Sequence, residues 1–301
     1  MNAKLPSLVG LSIERLKTFC LVAEEGSIVA AARDDATRQS QYSRQIKQLE
    51  EAVGDKLFLR EGKKLLLTKA GRKLALVTKG YFSAVEEIRS DAANEPTLLR
   101  LGAAESVFRW ILLPRLNEIM SSNPGLRFEF HTLRTNEAVE HVKEGRLDLA
   151  IVRTDAVEEP LFGISVGFLD FVWVVPRNLL PEKSSAGVHI MEELPIALLT
   201  GDGKLAKAVM EVAAQNQIRI SIKVFADNFG LIVEALQTGG LGAVIPAPAA
   251  KDLSNERFSI LEMPGMERLR RNLSLVYDTR IIEIRDSIKR VANRIIKGLS
   301  I

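Results

Sequence analysis

The chain has 301 residues, 47% apolar and 26% charged, which is the balance of an ordinary soluble protein and too long for one hydrophobic core. No apolar run reaches the length of a membrane span, and the opening stretch MNAKLPSLVGLSIERLKTF lacks the apolar centre of a signal peptide. The single cysteine, Cys20, excludes an internal disulfide and suits a reducing cytoplasm, where the protein is expected to reside.

The net charge of +3 hides an asymmetry. Residues 1–93 carry 16 Lys and Arg against 12 Asp and Glu, and residues 56–79 alone carry a net +7. Contact with a polyanion through the N-terminal part is one reading, and a solvated lysine-rich face is the other. The pattern of elements has to decide between them.

Residues 12–25, SIERLKTFCLVAEE, place Leu16, Phe19 and Val22 at helical spacing, with Ser12 as N-cap. Gly26 stops this helix, and Ser27 is positioned to cap a second, IVAAARDD. Thr37 is expected to cap a third helix that runs to Gly54. In it Tyr42, Ile46, Leu49 and Val53 share a stripe, while Arg38, Gln41, Gln45 and Gln48 lie away from it. The stretch DKLFLREGKKLLLTKAG alternates, turns at Glu61-Gly62 and alternates again, which predicts a hairpin. Three short helices and a two-stranded ribbon make a winged helix-turn-helix over residues 1–67. Its polar third helix suits the major groove of double-stranded DNA, with Arg38 and Gln41 on the exposed face. Arg60, Lys63 and Lys64 on the wing are candidates for phosphate contact, as is Ser27 at a helix start.

Thr68 opens a long helix over residues 68–93 in which Leu74, Val77, Tyr81, Val85 and Ile88 form a narrow seam. Pairing with its own copy, as a dimerisation helix, is the favoured reading; packing against the same chain is the alternative. Residues 94–97, NEPT, form the natural hinge.

From Leu98 strands and helices alternate: LLRLGAA, the helix SVFRWILLPRLNEIMSS, LRFEFHT, the helix NEAVEHVKEG and the buried strand LDLAIV. ISVGFLD and FVWVVP follow as strands. LPIALLT, a helix over residues 204–216, RISIKVFA, a helix over residues 229–238 and LGAVIPA repeat the alternation. RFSILEM and NLSLVYD return strands before a closing helix over residues 280–299. The pattern predicts α/β architecture with parallel sheet built from βαβ units. It divides into two lobes with a cleft between them, residues 98–165 with 266–301, and residues 166–265. Strand ends and helix N-termini are expected to face that cleft.

The motifs LKTFCLVAEEGSIVAAA, SRQIKQLEEAVGDKLFLR and LTKAG resemble the N-terminal pattern of the LysR-type transcriptional regulators at fixed spacing and without gaps. LPRLNEIMSSNPGLRFEF, GRLDLAIV and GGLGAVIP resemble the family's effector-binding domain more loosely. The resemblance implies a sequence-specific DNA-binding regulator, a homodimer extending to a homotetramer on an inverted-repeat operator, and a small-molecule effector. It implies a two-lobed, periplasmic-binding-protein-like effector domain over residues 98–301, with no cofactor and no membrane partner. It places Gln39, Ser43 and Arg44 at DNA-contacting positions, and nominates Thr200, Gly201, Phe229 and Pro246 for the effector. Asp35 departs from the pattern where an apolar residue is usual, and Arg38 where a capping Ser or Thr is usual. A buried, unpaired Asp35 is costly, so solvent or a neighbouring arginine is expected to meet it.

Ser106 stands where a first strand yields to a helix, and free N–H groups there favour an anion, so a carboxylate-bearing effector is expected. Arg153, directly after LDLAIV, is a further cleft candidate. Catalysis finds little support: His131, His141 and His189 lack metal-ligand spacing, and neither a nucleophile elbow nor a phosphate loop is present. The rival readings are an enzyme or solute-binding protein on the same two-lobed fold, and a DNA-binding protein whose cleft is only a scaffold. The N-terminal module speaks against the first, because neither an enzyme nor a solute carrier needs a recognition helix and a basic wing.

Overall fold

The structure, a computed structural model, describes residues 10–62, 64–93, 95–180, 195–200, 203–215, 221–261, 264–282 and 285–299. Helix α1 (Ile13–Glu25) is capped by Ser12, whose Oγ accepts from Arg15 N–H at 3.2 Å, and closed by Gly26 in the left-handed region at φ 61°. Helix α2 (Ile28–Ala31) is shorter than its sequence suggests. Arg33 and Asp34 turn the chain through φ 52° and 60°, so the helix cannot run on to Asp35. That turn frees Asp35 to start α3 (Ala36–Val53), its Oδ1 accepting from the N–H groups of Thr37 and Arg38 at 2.9 and 3.0 Å. The cap is therefore Asp35 and not Thr37. Exposed, and 3.6 Å from Arg38 Nε, Asp35 never faces the core.

Strands β1 (Phe58–Glu61) and β2 (Lys64–Leu67) pair antiparallel around Gly62 at φ 59°. Leu65 N–H donates to the Gly26 carbonyl at 2.8 Å, which fixes this wing to the α1–α2 turn. Phe19, Val22, Leu49 and Leu57 are completely buried between the helices and the wing, and the Phe19 and Phe58 rings lie 5.4 Å apart. Helix α4 (Lys69–Ala93) begins at Thr68, whose Oγ1 accepts from Gly71 N–H at 2.9 Å and donates to the Lys56 carbonyl at 2.6 Å. Gly71 is obligatory, because a Cβ there would stand 2.1 Å from the Leu57 carbonyl oxygen. Thr97, assigned above to the hinge, is already a buried residue of β3 (Thr97–Ala103).

After β3 come α5 (Glu105–Val107), a π turn over Phe108–Leu112, a 3-10 turn over Leu113–Arg115 and α6 (Leu116–Ser121). The single helix expected here is broken because Pro114 supplies no N–H and crowds the carbonyl one turn before it. The chain continues through β4 (Leu126–Thr132), α7 (Thr135–Lys143), β5 (Leu149–Arg153), β6 (Leu161–Leu169), β7 (Phe171–Pro176), β8 (Pro195–Leu199), α8 (Gly203–Gln215) and β9 (Ser221–Ala226). Then follow α9 (Phe229–Leu236), β10 (Gly242–Pro246), β11 (Phe258–Leu261), β12 (Arg271–Asp278), α10 (Thr279–Ile282) and α11 (Asp286–Leu299). The closing helix is thus two helices.

Two five-stranded sheets form, ordered β4-β3-β5-β12-β6 and β11-β7-β10-β8-β9. Both are mixed rather than parallel. The βαβ strands β4, β3 and β5 run parallel, as do β9, β8 and β10, while β12 lies antiparallel to β5 and β6, and β7 antiparallel to β10 and β11. The exceptions include the strands that carry the chain between lobes. It leaves lobe 1 at β6 and returns at β12, and the two crossings meet where Arg270 forms a two-pronged pair with Asp170 at 2.6 and 3.0 Å.

Candidate nucleic-acid interface and inter-lobe cleft

On α3 the apolar stripe of Ile46 and Leu49 faces α1, which leaves Arg38, Ser40, Gln41, Ser43, Arg44 and Lys47 exposed and Gln39 half-buried. Part of the polar set serves the fold. Thr18 Oγ1 donates to Gln45 Oε1 at 2.6 Å, and Gln45 Nε2 donates to Glu14 Oε1 at 2.9 Å, which ties α3 to α1. Gln41 Nε2 reaches the same Glu14 oxygen at 3.4 Å, so it sits at the border between that tie and the open face. Arg44 with Ser40 and Lys47 stands one turn apart on the side facing solvent; Ser40 was not singled out from sequence, although its four-residue spacing from Arg44 carries the signal.

Ser27 Oγ accepts from Ala30 N–H at 3.4 Å as the cap of α2. On the wing Arg60 is exposed, its Nε donating to the Gly62 carbonyl at 3.3 Å, and Lys64 is exposed on β2. Lys63 lies outside the described residues. Helix α3 and the wing each expose polar and cationic side chains, groups of the kind that meet base edges and phosphates. Cys20 is buried on α1, and burial pushes its thiol up to about 12, against a smaller opposing pull from Lys79. Thiolate chemistry is therefore suppressed at neutral pH.

Along α4, Leu74 packs against the core of the N-terminal module, whereas Val77, Tyr81, Val85 and Ile88 are exposed. The other flank of α4 docks on the second domain through Glu87 and Arg285.

Between the lobes lies a cleft of about 840 Å³. Ser106 is the second residue of α5, buried, and on the cleft wall; Arg153 ends β5 on the same wall, its Nε donating to Asp155 Oδ1 at 3.1 Å. Thr200 and Phe229 face them from lobe 2. Thr200 Oγ1 donates to the Ala226 carbonyl at 3.0 Å, which joins the ends of β8 and β9, and the Phe229 ring lies 5.7 Å from Phe171. Pro246 is a correction: it ends β10 in the interior and does not line the cleft. Gly201 lies outside the described residues.

Sequence reasoning missed Arg134, Asn136, Asp227 and Arg271, all on the cleft wall. Arg134 follows β4 and Asp227 follows β9, the carboxyl ends of sheet strands where ligands gather, so the order of elements held that signal. Arg271 stands at the start of the antiparallel β12, which periodicity alone cannot orient. Burial raises the Glu105 carboxyl above the usual carboxylate range, opposed by Arg109 and by the N–H groups of Gly230 and Phe229. Among the described residues no group of three or more His, Cys, Asp or Glu side chains is placed to hold a metal, and no helix is long and apolar enough to cross a membrane.

Known proteins share this architecture. Residues 13–72 match the bacterial regulatory helix-turn-helix protein family of lysR type, and residues 92–281 match the LysR substrate binding domain. The chain is similar to YwqM of Bacillus subtilis strain 168, an uncharacterised HTH-type transcriptional regulator, with 30% identity over 249 residues covering 80% of this chain and 84% of that protein. Its fold resembles ArgP from Mycobacterium tuberculosis, with a TM-score of 0.73, 18% identity, and 96% and 98% of the two chains covered. It also resembles full-length CbnR complexed with its target DNA, with a TM-score of 0.57, 17% identity, and 95% and 100% covered. With both domains matched in order, the chain belongs to the LysR family of DNA-binding transcriptional regulators and is not an enzyme.

Proposed function

We propose that this regulator acts in the cytoplasm as a homo-oligomer, binds an inverted-repeat operator, and responds to a small carboxylate-bearing effector held between its lobes. The observation that carries the effector reading is the cleft itself: about 840 Å³, of a size for a small metabolite, with Arg134, Arg153 and Arg271 on its lobe 1 side. Guanidinium groups pair with carboxylates in two-pronged geometry, which makes them the natural readers of such a ligand. The CbnR structure in complex with DNA supports the role of the N-terminal module, and the exposed apolar side chains of α4 support a second copy. Two modules related by a two-fold axis read two half-sites in inverted order.

Two measurements test this. Genomic fragments retained by the purified protein are footprinted; two inverted half-sites are expected, and protection without two-fold symmetry rejects the operator reading. Small carboxylic acids are then screened for thermal stabilisation and for a change of footprint, with Arg153→Ala and Ser106→Glu as comparisons. A hit that stabilises both variants as well as the parent places the ligand elsewhere, and a cleft that answers to no ligand favours the scaffold reading.

A further inference from the structure

The cleft already holds a carboxylate of the protein's own. Glu105, the first residue of α5 in lobe 1, reaches lobe 2, where its Oε1 packs against Gly230 at the start of α9 and the nearby N–H groups of Phe229 and Gly230 favour its charged form. Those groups have no acceptor within their helix, and the positive end of the helix dipole favours an anion beside them. The next donor, Leu231 N–H, is taken by Asn228 Oδ1 at 2.9 Å, so Asn228 and Glu105 divide the first turn of α9 between them.

Position 230 is fitted to this contact. A Cβ there would stand 3.0 Å from Glu105 Oε1 and 2.7 Å from Arg109 Nη1, so a larger residue would push both side-chain ends away from the start of α9. The other carboxylate oxygen, Oε2, is enclosed and has no hydrogen-bond partner among the described residues. An ordinary helix cap satisfies its acceptor; this one leaves half of it unsatisfied on the wall of a ligand cleft. Close by, Trp110 Nε1 donates to Asp252 Oδ2 at 2.7 Å, so the segment from Glu105 to Trp110 binds lobe 2 at two points.

We propose that Glu105 is a resident carboxylate clamp: in the empty protein it fills the anion position at the start of α9, holds the lobes together, and excludes the anionic group of a ligand from that position. The clamp follows from this geometry alone; its consequence for ligands rests on reading the cleft as the effector site. A ligand's carboxylate is then directed to the arginines of the opposite wall, or has to displace Glu105 and loosen the lobes. Glu105 is a positioning and specificity residue.

Chemical rescue tests the clamp in the full-length protein without DNA or effector. Glu105→Ala removes the anion beside the start of α9, and its thermal midpoint is expected to fall by roughly 2–6 °C. Sodium acetate, the missing carboxylate as a free ion, is expected to recover part of that loss where sodium chloride at equal ionic strength does not. Acetate is expected to act on the parent no more than chloride. Should Glu105→Ala fail to fold, Glu105→Ser, which also vacates the position, gives the same comparison. Gly230→Ala, which crowds the same carboxylate, is expected to cost little more when added to Glu105→Ala. An unchanged midpoint in Glu105→Ala, equal action of acetate and chloride on it, or additive losses with Gly230→Ala overturns the proposal. Because neither DNA nor effector enters these measurements, that failure is distinct from a failure of the effector reading.

Discussion

Arg285, 1% exposed just ahead of α11, places its Nε 3.4 Å from Glu87 Oε2 on α4. The same guanidinium pairs with Asp148 at the entrance to β5, and Asp148 Oδ2 accepts Arg100 N–H from β3 at 2.7 Å. One buried cation therefore joins the linker helix to the lobe 1 sheet. Any rigid motion of that lobe would bear directly on α4, the helix that continues from the N-terminal module.

Removing one partner of such a cluster leaves an uncompensated buried charge, at a cost of about 3–5 kcal/mol. Arg285→Ala is expected to lower the thermal midpoint sharply, because it strands two carboxylates. Glu87→Gln keeps the shape and leaves the Asp148 pair, so the protein is expected to fold and bind DNA with an altered operator footprint. A Glu87→Gln footprint identical to the parent's shows that this contact is a structural tie without a part in coupling.

The recognition surface yields a division of labour. Arg44→Ala and Gln39→Ala are expected to lose roughly 1–3 kcal/mol on the specific operator and less on random DNA, as a base contact requires. Lys64→Ala is expected to weaken all DNA alike and to flatten the salt dependence, as a phosphate contact requires. Competition binding at two salt concentrations separates them, and equal losses for all three variants on both DNAs reject the assignment.

Much of this was legible in the sequence, and the failures have two sources: backbone turns that leave no periodic mark, and contacts between distant parts of the chain. Ser12 and Gly26 bound α1 through contacts a few residues apart, and FVWVVP announces β7 by its unbroken apolar run. Asp35 meets solvent and Arg38 as expected, but Thr37 was taken for the cap of α3 because the capping role of Asp35 depends on two left-handed residues, Arg33 and Asp34, that no periodicity marks. The direction of β12 was hidden because it is set by where the chain re-enters lobe 1. In the cleft, Ser106 was found from its place between strand and helix. The contact of Glu105 with Gly230 joins residues far apart in the chain, and only the folded lobes bring them together.

Cys20 offers a test of a negative kind. Burial holds its thiol near 12, so at pH 7 to 8 almost none is thiolate, the species that oxidants and alkylating agents attack. Native protein is expected to react slowly with iodoacetamide and to bind operator equally well before and after mild peroxide treatment. In denaturant the thiol returns to its ordinary range and is expected to react fast. Rapid labelling of the native protein contradicts this placement of Cys20.

The exposed seam of α4 gives the last prediction. Val77, Tyr81, Val85 and Ile88 are 53%, 50%, 46% and 70% exposed, while Leu74 is turned inward to the N-terminal core. Four large apolar side chains at helical spacing, left in water on one stripe, cost free energy that a second copy of the helix would recover. Val85→Glu sets a charge in that stripe, and in a two-fold pair it sets two charges near each other. The variant is expected to sediment as a monomer with its fold intact, because Val85 makes no contribution to either core. Val85→Leu is expected to remain oligomeric. Operator affinity of the glutamate variant should fall by about 10²–10⁴, the advantage lost when two linked modules become independent, while affinity for a single half-site stays near the parent value. An unchanged sedimentation coefficient for Val85→Glu removes α4 as the site of association.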